Sequence, residues 1–194
     1  MATLLPFSKL IAQQNGYLVN LKGDTIRCNI NPSGGKWKGD DDKHWNKFTA
    51  DDIKAFHMYE DSSTYASVRL PNAEKLVFLE WLEQGKINLY QAQKESAGYV
   101  IKVGFSYSNT VRWYANKDKD DLKQVKVTST SLIGAGAIGS RKNREKAFTD
   151  LIADNPELLS RFKEAIKGAE YSFDLIRYYI KTYNDEYAEK HPGK

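Results

Sequence analysis

The residues GAGAIG at 134–139 spell G-x-G-x-x-G, and no other stretch of the chain has letters that suggest a nucleotide site. Such a site lets a pyrophosphate sit against backbone amides at a helix N-terminus. It also needs a parallel sheet of βαβ units and an acidic residue closing the next strand. Here three helical patterns follow with no strand-forming run after them, so the segment reads as a flexible linker and no cofactor is expected. His44, His57 and His191 share no metal-ligand spacing, and a lone Cys28 builds neither a disulfide nor a thiolate cluster, so no metal is expected either. No serine sits in G-x-S-x-G. The adjacent carboxylates Asp40 to Asp42 and Asp51 with Asp52 fall at turns and strand ends, where solvation accounts for them. No catalytic residue is nominated, and the chain is read as a non-enzyme.

Binding is better served than catalysis. Trp37 and Trp45 lie in NPSGGKWKGDDDKHWNK, a polar stretch read as a loop. Tryptophans so placed either fold back on the core or stay exposed to contact a partner. Phe56, Trp81, Tyr99 and Trp113 lie on strand-like runs and would line a cavity if those strands closed into a barrel. Of the tyrosines near the C-terminus, Tyr179, Tyr183 and Tyr187 fall on one helical stripe, whereas Tyr178 points away from it.

These residues need elements to hold them, and the clearest is the hairpin GYLVNLKGDTIRCNI at 16–30. A two-residue loop at Gly23 and Asp24 sets Leu21 opposite Ile26, Val19 opposite Cys28 and Tyr17 opposite Ile30, one apolar face with Leu18 as the exception on the other. That places Cys28 in the core as a buried, inert thiol. IKAFHMY at 53–59 and YASVRL at 65–70 are two further strands. In LVFLEWLEQGKINLY at 76–90, a three-residue loop with Gly85 left-handed pairs Trp81 with Ile87 and Leu79 with Leu89. Runs at 98–103, 110–115 and 122–127 complete the strands. After Gly139 the period changes: Ala147, Phe148, Leu151 and Ile152 share a helical face, Asn155 caps a helix starting at Pro156, and another starts near Ser172. The fold class is α+β: an antiparallel β meander (a sandwich or partly closed barrel of seven or eight strands) followed by about three short C-terminal helices.

The composition agrees with an ordered globular chain, at 41% hydrophobic and 12% aromatic residues over 194 positions. A net charge of +4 with the signs interspersed argues against a nucleic-acid partner. Residues 1–14 form a leader whose apolar stretch ends in Leu10-Ile11-Ala12, like the end of a signal peptide without its basic n-region. No apolar run is long enough to span a bilayer. Residues 15–131 are the β domain, 132–140 the glycine-rich linker and 141–194 the helical segment packed on it.

The run GYLVNLKGDTIRCNI, the downstream DDIKAF and the hairpin FLEWLEQGKINLY resemble a group of exported proteins of unknown function common in Bacteroidota, in which a β-rich body precedes a short helical tail. The likeness covers most of 16–90, with a looser match around Asp154, Pro156 and Tyr183. It implies export and a compact β domain, and it brings no catalytic residue. The expected function is a non-catalytic binding or assembly module, secreted, periplasmic or attached to the outer envelope, otherwise cytoplasmic. It would contact a protein or glycan through a sheet face or the tryptophan loop. The alternative is a small-molecule carrier built as a β-barrel, with a hydrolytic enzyme behind it.

Overall fold

A computed structural model of the chain describes residues 14–100, 104–129 and 140–192, with backbone alone at 94–100, 104–108 and 129. The leader before Gln14, the segment GAGAIG and the side chain of Tyr99 lie outside the described residues. Among the described residues the architecture is α+β, ten antiparallel strands followed by three helices. The chain divides into two compact units, one ending at Ser63 and one beginning at Thr64.

The first unit holds β1 (Gly16–Asn20), β2 (Thr25–Asn31), β3 (Lys36–Lys38), β4 (Asn46–Lys47) and β5 (Ile53–Met58), in the open order β5-β1-β2-β3-β4. Leu18, Cys28, Ile30, Phe48, Ile53 and Phe56 are buried, and the Phe48 ring meets Phe56 edge-on at 5.7 Å. Gly16 lies where a β-carbon would stand 2.1 Å from the His57 carbonyl oxygen, so any side chain there would force β1 and β5 apart.

The first hairpin forms, but in a different register from the one expected. Leu18 pairs with Ile26, Tyr17 with Arg27 and Gly16 with Cys28. Leu18 is therefore 2% exposed, whereas Leu21 is 57% exposed. The cause is a longer loop closed by Asn20. Its Oδ1 accepts from the backbone N–H groups of Lys22, Gly23 and Asp24, each at 2.9 Å, and its own N–H donates to the Asp24 carbonyl at 3.0 Å. An asparagine side chain that satisfies three turn amides outweighs the apolar preference of Val19 and Leu21. Gly23 takes φ +100°, as the loop requires.

The tryptophan stretch is also more ordered than a loop. Asp42 Oδ2 accepts from Gly39 N at 2.9 Å and from Asn46 Nδ2 at 2.8 Å, and Phe48 N donates to the Gly35 carbonyl at 2.9 Å. Those bonds close the chain on itself and permit β3 and β4.

The second unit holds β6 (Thr64–Arg69), β7 (Leu76–Glu83), β8 (Ile87–Val100), β9 (Gly104–Lys117) and β10 (Lys123–Ser129), in the open order β6-β7-β8-β9-β10. The run after the Gly85 turn and the described part of the run expected at 98–103 are one strand, β8, paired with β9 from Ile87↔Lys117 to Val100↔Gly104. The β7–β8 register differs from expectation: Trp81 pairs with Tyr90 and Glu80 with Gln91, with an irregularity between Trp81 and Glu83. Gly85 is not left-handed; positive-φ glycines among the described residues are Gly23 and Gly35. What sets this turn is a distant helix residue, Asn184, whose side chain would lie 2.5 Å from a β-carbon at position 85.

Helices α1 (Arg141–Leu151), α2 (Pro156–Gly168) and α3 (Phe173–Lys190) start where the sequence places them. Ser140, Asn155 and Ser172 accept from the N–H groups of Asn143, Leu158 and Leu175, caps that contribute about 1 kcal/mol each. Phe148, Leu151, Ile152, Leu158, Phe162, Ile176, Tyr179, Ile180 and Tyr183 bury the apolar stripes against Ile87, Leu89, Trp113, Ala115 and Val125 on one face of the sheet. Each large side chain so buried contributes roughly 1.5–3 kcal/mol. Tyr178 stays 57% exposed.

Candidate functional site

The described aromatic candidates are divided between the two units, Trp37, Trp45 and Phe56 in the first and Trp81 and Trp113 in the second. Phe56 is 3% exposed in the core of the first unit. In the second unit Trp81 stacks on Tyr90 at 5.7 Å, packed with Leu79 and Tyr114. Trp113 lies on the opposite face because it alternates with Tyr114. There it meets Phe173 edge-on at 4.6 Å under the helices, and its Nε1 donates to Gln91 Oε1 at 2.9 Å. Trp81 and Trp113 thus stand on two sides of one sheet and share no cavity. The Tyr99 side chain lies outside the described residues.

The two loop tryptophans diverge as well. Trp37 pairs with Ile30, whose side chain is buried, so Trp37 is on the core side and half-buried. Trp45 is 47% exposed. It alternates with Asn46, the partner of Trp37, and so falls on the solvent side together with Lys47. Lys47 pairs with Lys36, which pairs with Asn31; Lys38, two residues on, pairs with Asn29. Arg27 follows on the same side of β2, opposite Tyr17, which in turn pairs with His57. Tyr17 and His57 stack at 5.0 Å, and Tyr59, 44% exposed, tilts against both.

The charge on this face is segregated. Strands β1 to β5 contain Arg27, Lys36, Lys38, Lys47 and Lys54 and no aspartate or glutamate. None of these five cations forms an ion pair among the described residues. The carboxylates of the unit sit in its turns and loops, and four of them accept hydrogen bonds from loop donors. Asp24 accepts from Asn20 Nδ2, Asp42 from Gly39 N, Asp61 from Ser63 N, and Asp52 from Thr49 N and Oγ1. The Thr49 hydroxyl and then its amide hold Asp52 below the usual carboxylate range. Four acids therefore shape the loops, while Arg27, Lys36, Lys38 and Lys47 are left to the solvent face of the sheet.

Alternation in β2 made Arg27 and Asn29 legible as a polar face. The contribution of Lys36, Lys38 and Lys47 was missed because β3 and β4 are too short to show a period.

A second concentration of polar groups lies where α1, α2 and α3 meet the end of β9. Lys117 Nζ is 2.6 Å from Asp154 Oδ1 and 4.8 Å from the centre of the Tyr183 ring, and the Tyr183 hydroxyl donates to Asp154 Oδ2 at 2.9 Å. Next to it Lys86 lies 2.5 Å from Asp118 and 4.9 Å from the centre of the Tyr187 ring, which stacks on His191 at 4.2 Å. Shallow grooves on either side are lined in common by Tyr187 and His191. Each lysine here already has its carboxylate and its ring. The network fastens three helices to the sheet, and it holds no charge in reserve for a ligand.

Among the described residues no group of three or more His, Cys, Asp or Glu is placed to hold a metal ion, and no helix is long and apolar enough to cross a membrane. Comparison with protein-family models, curated proteins and solved structures gave no match.

Proposed function

We propose that this protein is a non-catalytic binding module of the bacterial envelope, and that it makes contact through the solvent face of β1 to β5. The observation that carries this reading is Trp45, nearly half exposed on a hairpin pinned by Asp42 and flanked by Lys36, Lys38 and Lys47, none of them ion-paired among the described residues. Burying a large apolar ring is favourable wherever a partner covers it, and a pinned loop loses little entropy on docking. The apolar stretch at the end of the leader and the resemblance to exported Bacteroidota proteins support the envelope. The placement of Trp81 and Trp113 on opposite faces of one sheet favours surface contact over a ligand enclosed between them.

The test is cosedimentation with the envelope fraction of the source cell. Wild-type protein is expected in the pellet, and a Trp45→Ala/Lys36→Glu variant in the supernatant. Equal distribution of the two would overturn the reading.

A further inference from the structure

We infer that the partner of this sheet face is an acidic polysaccharide, a chain of sugars carrying carboxylate or sulfate groups. The inference rests on the binding reading given above and names its ligand class.

The first step is charge. Arg27, Lys36, Lys38 and Lys47 stand on one side of three adjacent strands, with no carboxylate on any strand of the unit. Neighbouring strands lie about 4.8 Å apart, and alternate residues along a strand about 7 Å apart. Unpaired cations at that spacing repel one another, and a partner with repeated negative charge relieves the repulsion.

The second step is shape. Asp40 and Asp41 are exposed at the far end of the same hairpin, between β3 and β4. A flat anionic bilayer approaching the hairpin end-on would meet these two carboxylates, whereas a thin chain can lie along the strands and avoid them. The polar groups between the cations, Asn29 and Asn31, offer donors and acceptors suited to sugar hydroxyls.

The third step separates sugars from nucleotides. Single-stranded nucleic acid is held by successive bases stacked on a series of open aromatic faces. Here Trp45 is the exposed ring beside the lysines, while Tyr17, His57 and the half-exposed Tyr59 already pack on one another. One ring with a row of lysines suits one sugar face and its charged neighbours better than a run of bases.

The experiment measures binding of the full chain to four probes: a polyuronate such as alginate, a sulfated polysaccharide such as heparin, a single-stranded DNA oligonucleotide, and anionic lipid vesicles. Titrations run at about 50 and 200 mM salt. Alginate or heparin is expected to bind best, which tells carboxylate from sulfate, with affinity falling at the higher salt. Lys36→Glu/Lys47→Glu should weaken it about tenfold or more, and Trp45→Ala severalfold. Lys163→Glu, an exposed reversal on α2, should change nothing. Tighter binding of DNA or vesicles with the same residue dependence would overturn the ligand class and leave the binding face standing. Polysaccharide binding indifferent to the three variants would overturn the inference, as would no binding of any probe. In that last case, envelope cosedimentation that still depends on Trp45 and Lys36 would leave the binding face intact.

Discussion

The side chain of Asn184, on α3, pairs with the backbone of Ile87, the first residue of β8, as a neighbouring strand would. Its Oδ1 accepts from Ile87 N and its Nδ2 donates to Ile87 O, both at 2.8 Å. The amide reaches that close because residue 85 is glycine. Asn184→Ala leaves a part-buried N–H and C=O without this partner and should cost about 1–3 kcal/mol in chemical denaturation. Gly85→Ala should cost a similar amount by overpacking, since a pinned Asn184 has no room to yield. In the double variant Gly85→Ala/Asn184→Ala the losses should not add, because the second change removes the group that the first one strikes. Strict additivity would mean that the turn is set by something other than Asn184.

Leu18 and Val19 give the sharpest test of the first hairpin. Leu18 is 2% exposed and Val19 only half-buried, so Leu18→Asp places an unpaired charge in the core while Val19→Asp does not. The expected losses are roughly 3 kcal/mol or more against about 1 kcal/mol. Denaturation midpoints in the reverse order would restore the register that the alternation of Tyr17, Val19 and Leu21 suggests.

That register shows where legibility ended. Tyr17, Val19 and Leu21 alternate as a core face should, yet the three amides that Asn20 satisfies shift the loop and turn the strand over. The helices were read closely because their signals are local. Asn155 with Pro156, Ser172, and the stripe Ile176, Tyr179, Ile180 and Tyr183 each lie within one helix and its cap. The β7–β8 turn depends on Asn184, about a hundred residues away, which no local pattern announces. On the candidate face Trp45 was named from the sequence, while its lysines emerge once β3 and β4 pair.

Cys28 should be inert in the native protein. It has no solvent exposure, and burial pushes its thiol up to about 11, the N–H of Leu18 offsetting part of the rise. Thiolate is the reacting form, so at pH 8 little of it exists and none of it is accessible. A disulfide reagent should label the native chain slowly and the urea-unfolded chain completely. Rapid labelling without denaturant would show that the β1–β2 core opens readily.

Asp154 and Lys117 should make stability depend on pH at both ends of the scale. Partial burial pushes the Asp154 carboxyl up, but hydrogen bonds from Lys117 and Tyr183 outweigh it and hold the group below the ordinary carboxylate range. Partial burial likewise lowers Lys117, and the bonds to Asp154 and Tyr183 more than reverse that. A depressed acid stabilises the fold above its unfolded pKa, near 3.9, and loses that contribution as pH falls through the folded value. A raised base stabilises below its unfolded pKa, near 10.4, and loses that contribution as pH climbs through the folded value. The pair is therefore at full strength between about pH 5 and 9, and its acid limb lies below pH 4. Asp154 is 56% exposed, so screening keeps the contribution to about 1 kcal/mol or less. Asp154→Asn keeps an acceptor for the Tyr183 hydroxyl and removes the charge. Its denaturation midpoint should fall slightly at pH 7, and the difference from the wild type should shrink as pH falls below 4. Parallel curves for the two proteins from pH 7 to pH 3 would show that the carboxylate does not stabilise the fold through its charge.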